Sequence, residues 1–162
     1  MAFHGRANGS LVYQKGRTIG SSLVGQQWRG AQWFYGRPSA ASYDAAASSA
    51  SNLGPLSREF AAEIRRRITA ILDVEGPYHS GLEASAIPVD LLTASASGLD
   101  PHISPAAAEF QAPRIAEVHG VALEDVERLI DDNTEGRTLG FLGQPRVNVF
   151  ELNLALDRLG RG

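Results

Sequence analysis

The sequence has no cysteine, one methionine, a single lysine at Lys15, and no long hydrophobic run. Without cysteine there is no disulfide, no thiolate zinc site and no cysteine nucleophile, and nothing that marks an oxidising or a reducing compartment. The longest stretch free of Asp, Glu, Lys and Arg is the 13 residues from Ala45 to Ser57, rich in alanine and serine. A spanning helix needs roughly 20 mostly apolar residues, so no segment of these 162 residues reads as one. Met1 to Gly9 does not read as a cleavable signal peptide either, because His4, Arg6, Asn8 and two glycines interrupt any apolar run. Charge of one sign is also scarce. Fifteen basic and eighteen acidic residues leave a net charge of −3, too little to favour capture of nucleic acid or of an anionic membrane.

What is present suits one α+β domain over residues 1–162. Apolar residues make up 43% of the chain, and 23 of them are alanine. Ser10 to Gln14 and Thr18 to Ser22 flank Lys15-Gly16-Arg17, a short glycine-containing connection that predicts a hairpin with Leu11, Tyr13 and Ile19 buried. The aromatic stretch Gln32 to Tyr35 predicts a further strand, broken by Gly36-Arg37-Pro38-Ser39. Ser39 to Ser51 reads as an ordered loop with at most a helical turn, since serine competes for the backbone that alanine would wind. Ser57 caps a helix whose stripe is Phe60, Ile64, Ile68, Ile71 and Leu72, stopped by Gly76-Pro77. Ile87 to Ala94 predicts one later, buried strand.

Ser104-Pro105 opens a helix carrying Phe110, Ile115 and Val118, with Pro113 expected to kink or split it before Gly120. Leu123 to Asn133 predicts another, on Val126, Leu129 and Ile130, ending near Gly136. Asn148 with Glu151 has capping-box spacing and opens the last helix, on Leu152, Leu156 and Leu159, with Phe150 and Leu154 on a second face. The sum is a small N-terminal sheet and one later strand against about four helices.

No residue pattern demands catalysis or a metal. His4, His79, His102 and His119 are not spaced to grip one ion from a single helix face. Gly136, Gly140 and Gly143 lack the Lys-Ser/Thr ending of a phosphate loop and read as turns between two helices. Ser95, Ser97, Asp100 and His102 hold the parts of a nucleophilic triad, and a serine hydrolase using Ser97 and His102 is one reading. Their crowding into one loop favours the other, an Asx-type turn at Asp100-Pro101 feeding the Ser104 cap. Strong turn chemistry recurs at Arg37-Pro38-Ser39, Ser51 to Pro55, Ser97 to Pro101 and Gln144 to Asn148, as in loops that brace a fold or present a surface to a partner.

At these residues the chain resembles the KdpC family, the C subunit of the Kdp potassium-transporting P-type ATPase. The matching segments are Ala7 to Leu11, Gly20-Ser21 with Gly25-Gln26, Gly36 to Ala40, Ser51-Asn52-Leu53, Pro88 to Leu91, Thr93 to Asp100, Val147-Asn148, and Glu151 to Asp157. The resemblance implies an accessory and assembly subunit of a high-affinity, ATP-driven potassium import complex. Its partners would be the potassium-conducting A subunit, the ATP-hydrolysing B subunit and the small F subunit. It implies no catalytic residue and no tightly bound cofactor. ATP enters through a proposed catalytic-chaperone role that raises the B subunit's affinity for it, with Gln26 the candidate glutamine should this domain touch the nucleotide directly, and a strand-end residue otherwise. It further implies a single-pass protein of the plasma (inner) membrane whose N-terminal helix precedes Ala7, with this domain extracytoplasmic and residues 1–6 a replaced start or a remnant of the membrane-proximal segment. The residues expected to meet partners are Arg37, Pro38, Ser39, Asn52, Leu53, Ser97, Gly98, Leu99, Asp100, Asn148 and Asn153.

Overall fold

Leu11–Gln14 (β1) and Arg17–Ser21 (β2) form the expected antiparallel hairpin, with Leu11 opposite Ser21, Gln14 opposite Arg17 and an irregular step between Val12 and Tyr13. The computed structural model describes residues 10–14, 17–39, 43, 54, 56–136 and 143–160. The side chains of Leu11, Tyr13 and Ile19, most of the Ser39 to Ser51 loop, Asn52 and Leu53 lie outside the described set.

Helix α1 spans Arg58–Glu75, its first turn capped by Ser57, whose Oγ accepts from Phe60 N at 3.0 Å. Gly76-Pro77 turns it into a short 3₁₀ segment, Gly76–Tyr78. Ile68, Ile71 and Leu72 of the predicted stripe pack against the core while remaining half-buried. Glu75 continues that stripe and is 2% exposed.

The strand expected over Ile87 to Ala94 is instead a single helical turn, α2 (Val89–Leu92), after a 3₁₀ turn at Ala84–Ala86. Ile87 and Leu91, four residues apart, are both 7% exposed and Val89 between them is 70% exposed, which is helical periodicity. The β-branched pair flanking Pro88 imitates a strand, but Pro88 occupies the helix N-cap.

Helix α3 (Pro105–His119) begins at Ser104, whose Oγ accepts from Ala107 N at 3.1 Å, and ends at Gly120 in the left-handed region, φ 66°. It runs unsplit through Pro113. Ala107, Ala108, Ala112 and Ala116 share its buried face with Ile115, so small side chains let the neighbours approach closely. Helix α4 (Leu123–Asp132) sets Val126 and Ile130 into the core and ends at Asn133, short of Gly136.

Three short antiparallel strands follow in the order β3 (His102–Ile103), β5 (Arg146–Asn148), β4 (Thr134–Glu135). The later sheet therefore has three strands, and Gly136 and Gly143 lie between two of them rather than between helices. Asn148 caps α5 (Val149–Leu159), its Oδ1 accepting from Phe150 N at 3.1 Å and Glu151 N at 3.2 Å. Leu152 and Leu156 are fully buried, Phe150 is 2% exposed, and Leu159 is 38% exposed.

Gln32 to Tyr35 is not a strand. It leaves a turn closed by Trp33 N donating to Gly30 O at 3.3 Å and continues as a strap whose backbone is paired by side chains of α3 and α5. Phe34 N donates to Asn153 Oδ1 at 2.9 Å, and Asn153 Nδ2 donates to Phe34 O at 3.0 Å. Tyr35 N donates to Gln111 Oε1 at 2.8 Å, and Gln111 Nε2 returns a bond to Tyr35 O at 3.2 Å. Arg114 Nη1 reaches Ala31 O and, at 3.0 Å, Trp33 O, and His119 Nε2 lies 2.9 Å from Gln32 O. Each amide offers a donor and an acceptor, the same pair a neighbouring strand would present.

Candidate functional site

The strap delivers Arg37 to the loop between α2 and β3. Its guanidinium lies 3.4 Å from Thr93 O, 3.3 Å from Thr93 Oγ1 and 3.8 Å from Asp100 Oδ2. Ser39 Oγ donates to Gly98 O at 2.5 Å and accepts from Tyr43 N at 2.9 Å, and the Tyr43 hydroxyl donates to Arg37 O. On the other side Gly25 N donates to Leu99 O at 2.8 Å. A Cβ on Gly25 would stand 2.8 Å from Tyr43 Cε1 and 2.9 Å from Asp100 O, so this crossing tolerates no side chain. Gly98 turns the loop with φ 69°, a conformation that costs glycine little.

Asp100 adopts the expected Asx turn: Oδ1 accepts from His102 N at 3.1 Å and lies 3.1 Å from His102 Nδ1. The His102 hydrogen bonds and, more weakly, the Arg37 charge hold its carboxyl below the usual aspartate value although partial burial opposes them. His102 sits on β3 opposite Asn148. Asn148, besides capping α5, donates from Nδ2 to Ser22 O at 2.7 Å. The segments around residues 22–25, 37–39, 95–102 and 148 are thus tied together on one face.

That face is sculpted by three depressions that share Arg37. One of about 370 Å³ lies between Arg37, Asp100 and His102 on one side and Glu135 and Arg146 on the other, the latter two paired at 2.8 Å. A second, about 580 Å³, runs from Asp100 and His102 over Leu99 and Pro101 to Leu23 and Val24. The third, about 260 Å³, is walled by Gln26, Trp28, Tyr35, Pro38 and Tyr43. The Gln26 amide rests against Gly20, where a Cβ would come within 2.0 Å of Nε2.

The chemistry on offer is that of a rigid polar surface. Asp100 and His102 do pair as acid and imidazole, but Ser97 Oγ accepts from Leu99 N at 3.2 Å and Ser95 Oγ from Asp100 N at 3.5 Å, which are turn-supporting contacts. Of the other histidines, His79 has Nε2 2.9 Å from Phe110 O and stacks on that ring, His119 serves the strap, and His4 is outside the described residues. Among the described residues no three His, Asp or Glu side chains are grouped to hold a metal.

Arg37, Pro38, Ser39, Leu99 and Asp100 therefore come together as one surface, with exposed Ser97 beside it and buried Gly98 beneath, its carbonyl held by Ser39. Asn148 lies beneath, 5% exposed. Asn153 is on no loop: it sits within α5, has no exposed surface and holds Phe34. Sequence reasoning missed Gln111, Arg114 and Glu75, which fix the strap. Arg114 is fully buried, 2.9 Å from Glu75 through Nε, with its guanidinium 4.7 Å from the Tyr35 ring centroid. The signal was available, since Glu75 and Arg114 are the charged residues on the buried faces of their helices and carry opposite charge.

Residues 1–158 match the family model described as KdpC, the K⁺-transporting ATPase c chain. The chain is 51% identical over 162 residues to the potassium-transporting ATPase KdpC subunit of Herpetosiphon aurantiacus, covering 98% of this chain and 81% of that protein. It is 50% identical over 159 residues to the KdpC subunits of Burkholderia mallei and Burkholderia pseudomallei, covering 96% of this chain and 79% of each relative.

Proposed function

The chain belongs to the KdpC family, the c chain of K⁺-transporting ATPases, and from that membership we propose that it is a non-catalytic accessory and assembly subunit of an ATP-driven potassium import pump. It docks through the face around Arg37. The observation that carries this reading is the convergence of separate turn motifs on one braced surface, with the loop serines engaged in their own turns. Loops this fully tied present a fixed shape at little ordering cost to a partner.

The partners are the potassium-conducting A subunit, the ATP-hydrolysing B subunit and the small F subunit. Membrane attachment is through an N-terminal helix before Ala7, with this domain on the outer face of the plasma membrane. Within the described residues no helix is long and apolar enough to cross a membrane. The catalytic-chaperone effect on ATP affinity is transmitted by assembly. The depression at Gln26 holds about 260 Å³, below the roughly 300–1,000 Å³ of small-molecule pockets.

Co-purification of the full-length chain with the other pump subunits tests the reading. Arg37→Glu is expected to lower both recovery of the complex and potassium uptake, and Arg37→Gln, which removes the charge without placing a second carboxylate beside Asp100, to lower them in a domain that still melts cooperatively. Full recovery and uptake in Arg37→Glu would overturn docking at this face. Calorimetry with ATP and magnesium tests the nucleotide branch. A flat titration is expected, and saturable heat lost in Gln26→Ala would establish direct binding instead.

A further inference from the structure

We propose that the pit between the strap and helices α1, α2 and α3 is an internal hydration site, its ligand a small group of water molecules held by the Glu75 carboxyl. The pit has a volume of about 90 Å³ and is lined by Tyr35 and Gly36 of the strap, Ile71 and Glu75 of α1, Leu91 of α2 and Gln111 of α3. Glu75 and Gln111 are 2% and 1% exposed. Glu75 Oε1 accepts from Arg114 Nε at 2.9 Å, whereas Oε2, also buried, has no hydrogen-bond partner among the described residues. The polar groups beside it are spent elsewhere. Gln111 Oε1 accepts from Tyr35 N and Arg114 Nη2, and its Nε2 donates to Tyr35 O and Ala107 O. Arg114 Nη1 donates to Ala31 O and Trp33 O. A carboxyl oxygen taken out of water without a donor is costly, so this one calls for a ligand.

Charge and size define that ligand. Glu75 and Arg114 already pair, so a cation in the pit would face the guanidinium and an anion the carboxylate. A neutral donor meets neither penalty. Water also serves both states of the carboxyl, donating to it when ionised and accepting from it when protonated. At roughly 30 Å³ for each molecule in the liquid, the pit has room for up to about three. A buried water makes about two to four hydrogen bonds, which Oε2, the neighbouring waters and the backbone groups of Gly36, unpaired among the described residues, can provide. The site lies under the seat of Arg37. Gly36 immediately precedes that residue, and Leu91 stands two positions before Thr93, to which Arg37 bonds.

The test is magnetisation transfer from water to methyl groups in the methyl-labelled chain. Cross-peaks to water are expected at the methyls of Ile71 and Leu91, with nuclear and rotating-frame Overhauser effects of opposite sign, as long-resident water gives. Glu75→Gln and Tyr35→Phe remove the carboxyl and phenol protons that could relay such a signal by exchange, and each variant, checked by thermal melting, is expected to keep the cross-peaks. Xenon enters dry apolar cavities, so under xenon pressure the same methyls of the wild type are expected to stay unshifted. Missing cross-peaks in the wild type, or xenon-induced shifts at these methyls, overturn the hydration site. Loss of the cross-peaks in either folded variant assigns them to the removed proton and overturns it equally. Should a variant fail to fold, the two wild-type measurements still decide.

Discussion

The side-chain amide of Asn153 hydrogen-bonds both backbone groups of Phe34, a residue 119 positions away, at 2.9 and 3.0 Å with neither residue exposed. One helix side chain thereby replaces a strand neighbour. Together with Gln111 on Tyr35 it sets the path of the chain that arrives, two residues later, at Arg37.

Asn153→Leu is expected to orphan a buried N–H and a buried C=O at once. Each such group costs about 1–3 kcal/mol, so the loss should exceed that of an ordinary polar substitution. Denaturant unfolding reads it as a lowered midpoint, and an unchanged midpoint would mean that the strap is held elsewhere.

Asn148→Ala removes a cap worth about 0.5–2 kcal/mol and also the bond from Nδ2 to Ser22 O. Hydrogen exchange should therefore quicken in two places, the first turn of α5 and the segment near Ser22. Acceleration confined to α5 would leave the Ser22 contact without weight.

Gly25→Ala places a methyl 2.8 Å from Tyr43 Cε1 and 2.9 Å from the Asp100 carbonyl. Overpacking of this sort costs about 1–3 kcal/mol. The backbone oxygen has little freedom to yield, so the crossing should open, lowering the thermal midpoint and recovery with the pump. A variant as stable and as readily assembled as the wild type would contradict the close approach.

Removing the Glu75 side chain leaves Arg114 buried without its counter-charge, and Glu75→Ala should cost about 3–5 kcal/mol. Burial pushes the Glu75 carboxyl above its ordinary value, partly offset by Arg114. The folded state thus holds this proton more tightly than the unfolded chain, so the group's contribution falls as pH rises through the ordinary carboxylate range, about 4.3, up to the folded value. Glu75→Gln should remove that slope from a plot of unfolding free energy against pH. An unaltered slope would assign it to other groups.

Asp100 acts with the opposite sign. Its carboxyl is held low in the fold, so its stabilisation is complete above the ordinary aspartate value, about 3.9, and is lost as pH falls through the lower folded value. Asp100→Asn should flatten acid unfolding below about pH 4. Equal acid sensitivity in the two proteins would remove Asp100 from the account.

The legible parts of this fold are those decided by a few adjacent residues. Ser57, Ser104 and Asn148 were readable as caps, and Asp100-Pro101 as an Asx turn, because each bond closes within three residues. The strap was misread as a strand because Trp33, Phe34 and Tyr35 do favour extended backbone, while the groups that satisfy it lie 76 and 119 residues away. Residues 87–94 were misread because β-branched residues flank Pro88, and the 70% exposure of Val89 follows from tertiary packing alone. At the site, the individual turns could be read from composition. That Arg37 meets Thr93 and Asp100 could not, since neither charge nor spacing encodes a contact across 56 residues.

The pairing of Phe34 with Asn153 and of Ser22 with Asn148 also orders events in time. Ser22 and Phe34 leave the ribosome early, yet their hydrogen-bond partners lie 126 and 119 positions later, at the cap of α5 and within it. Phe34 and Ser22 therefore keep water on these backbone groups until residues 148–153 have been made, and closure of such distant contacts is intrinsically slow. A message truncated before Asn148 would yield a chain in which Gln111 could still take Tyr35 but Phe34 would have no amide to receive it.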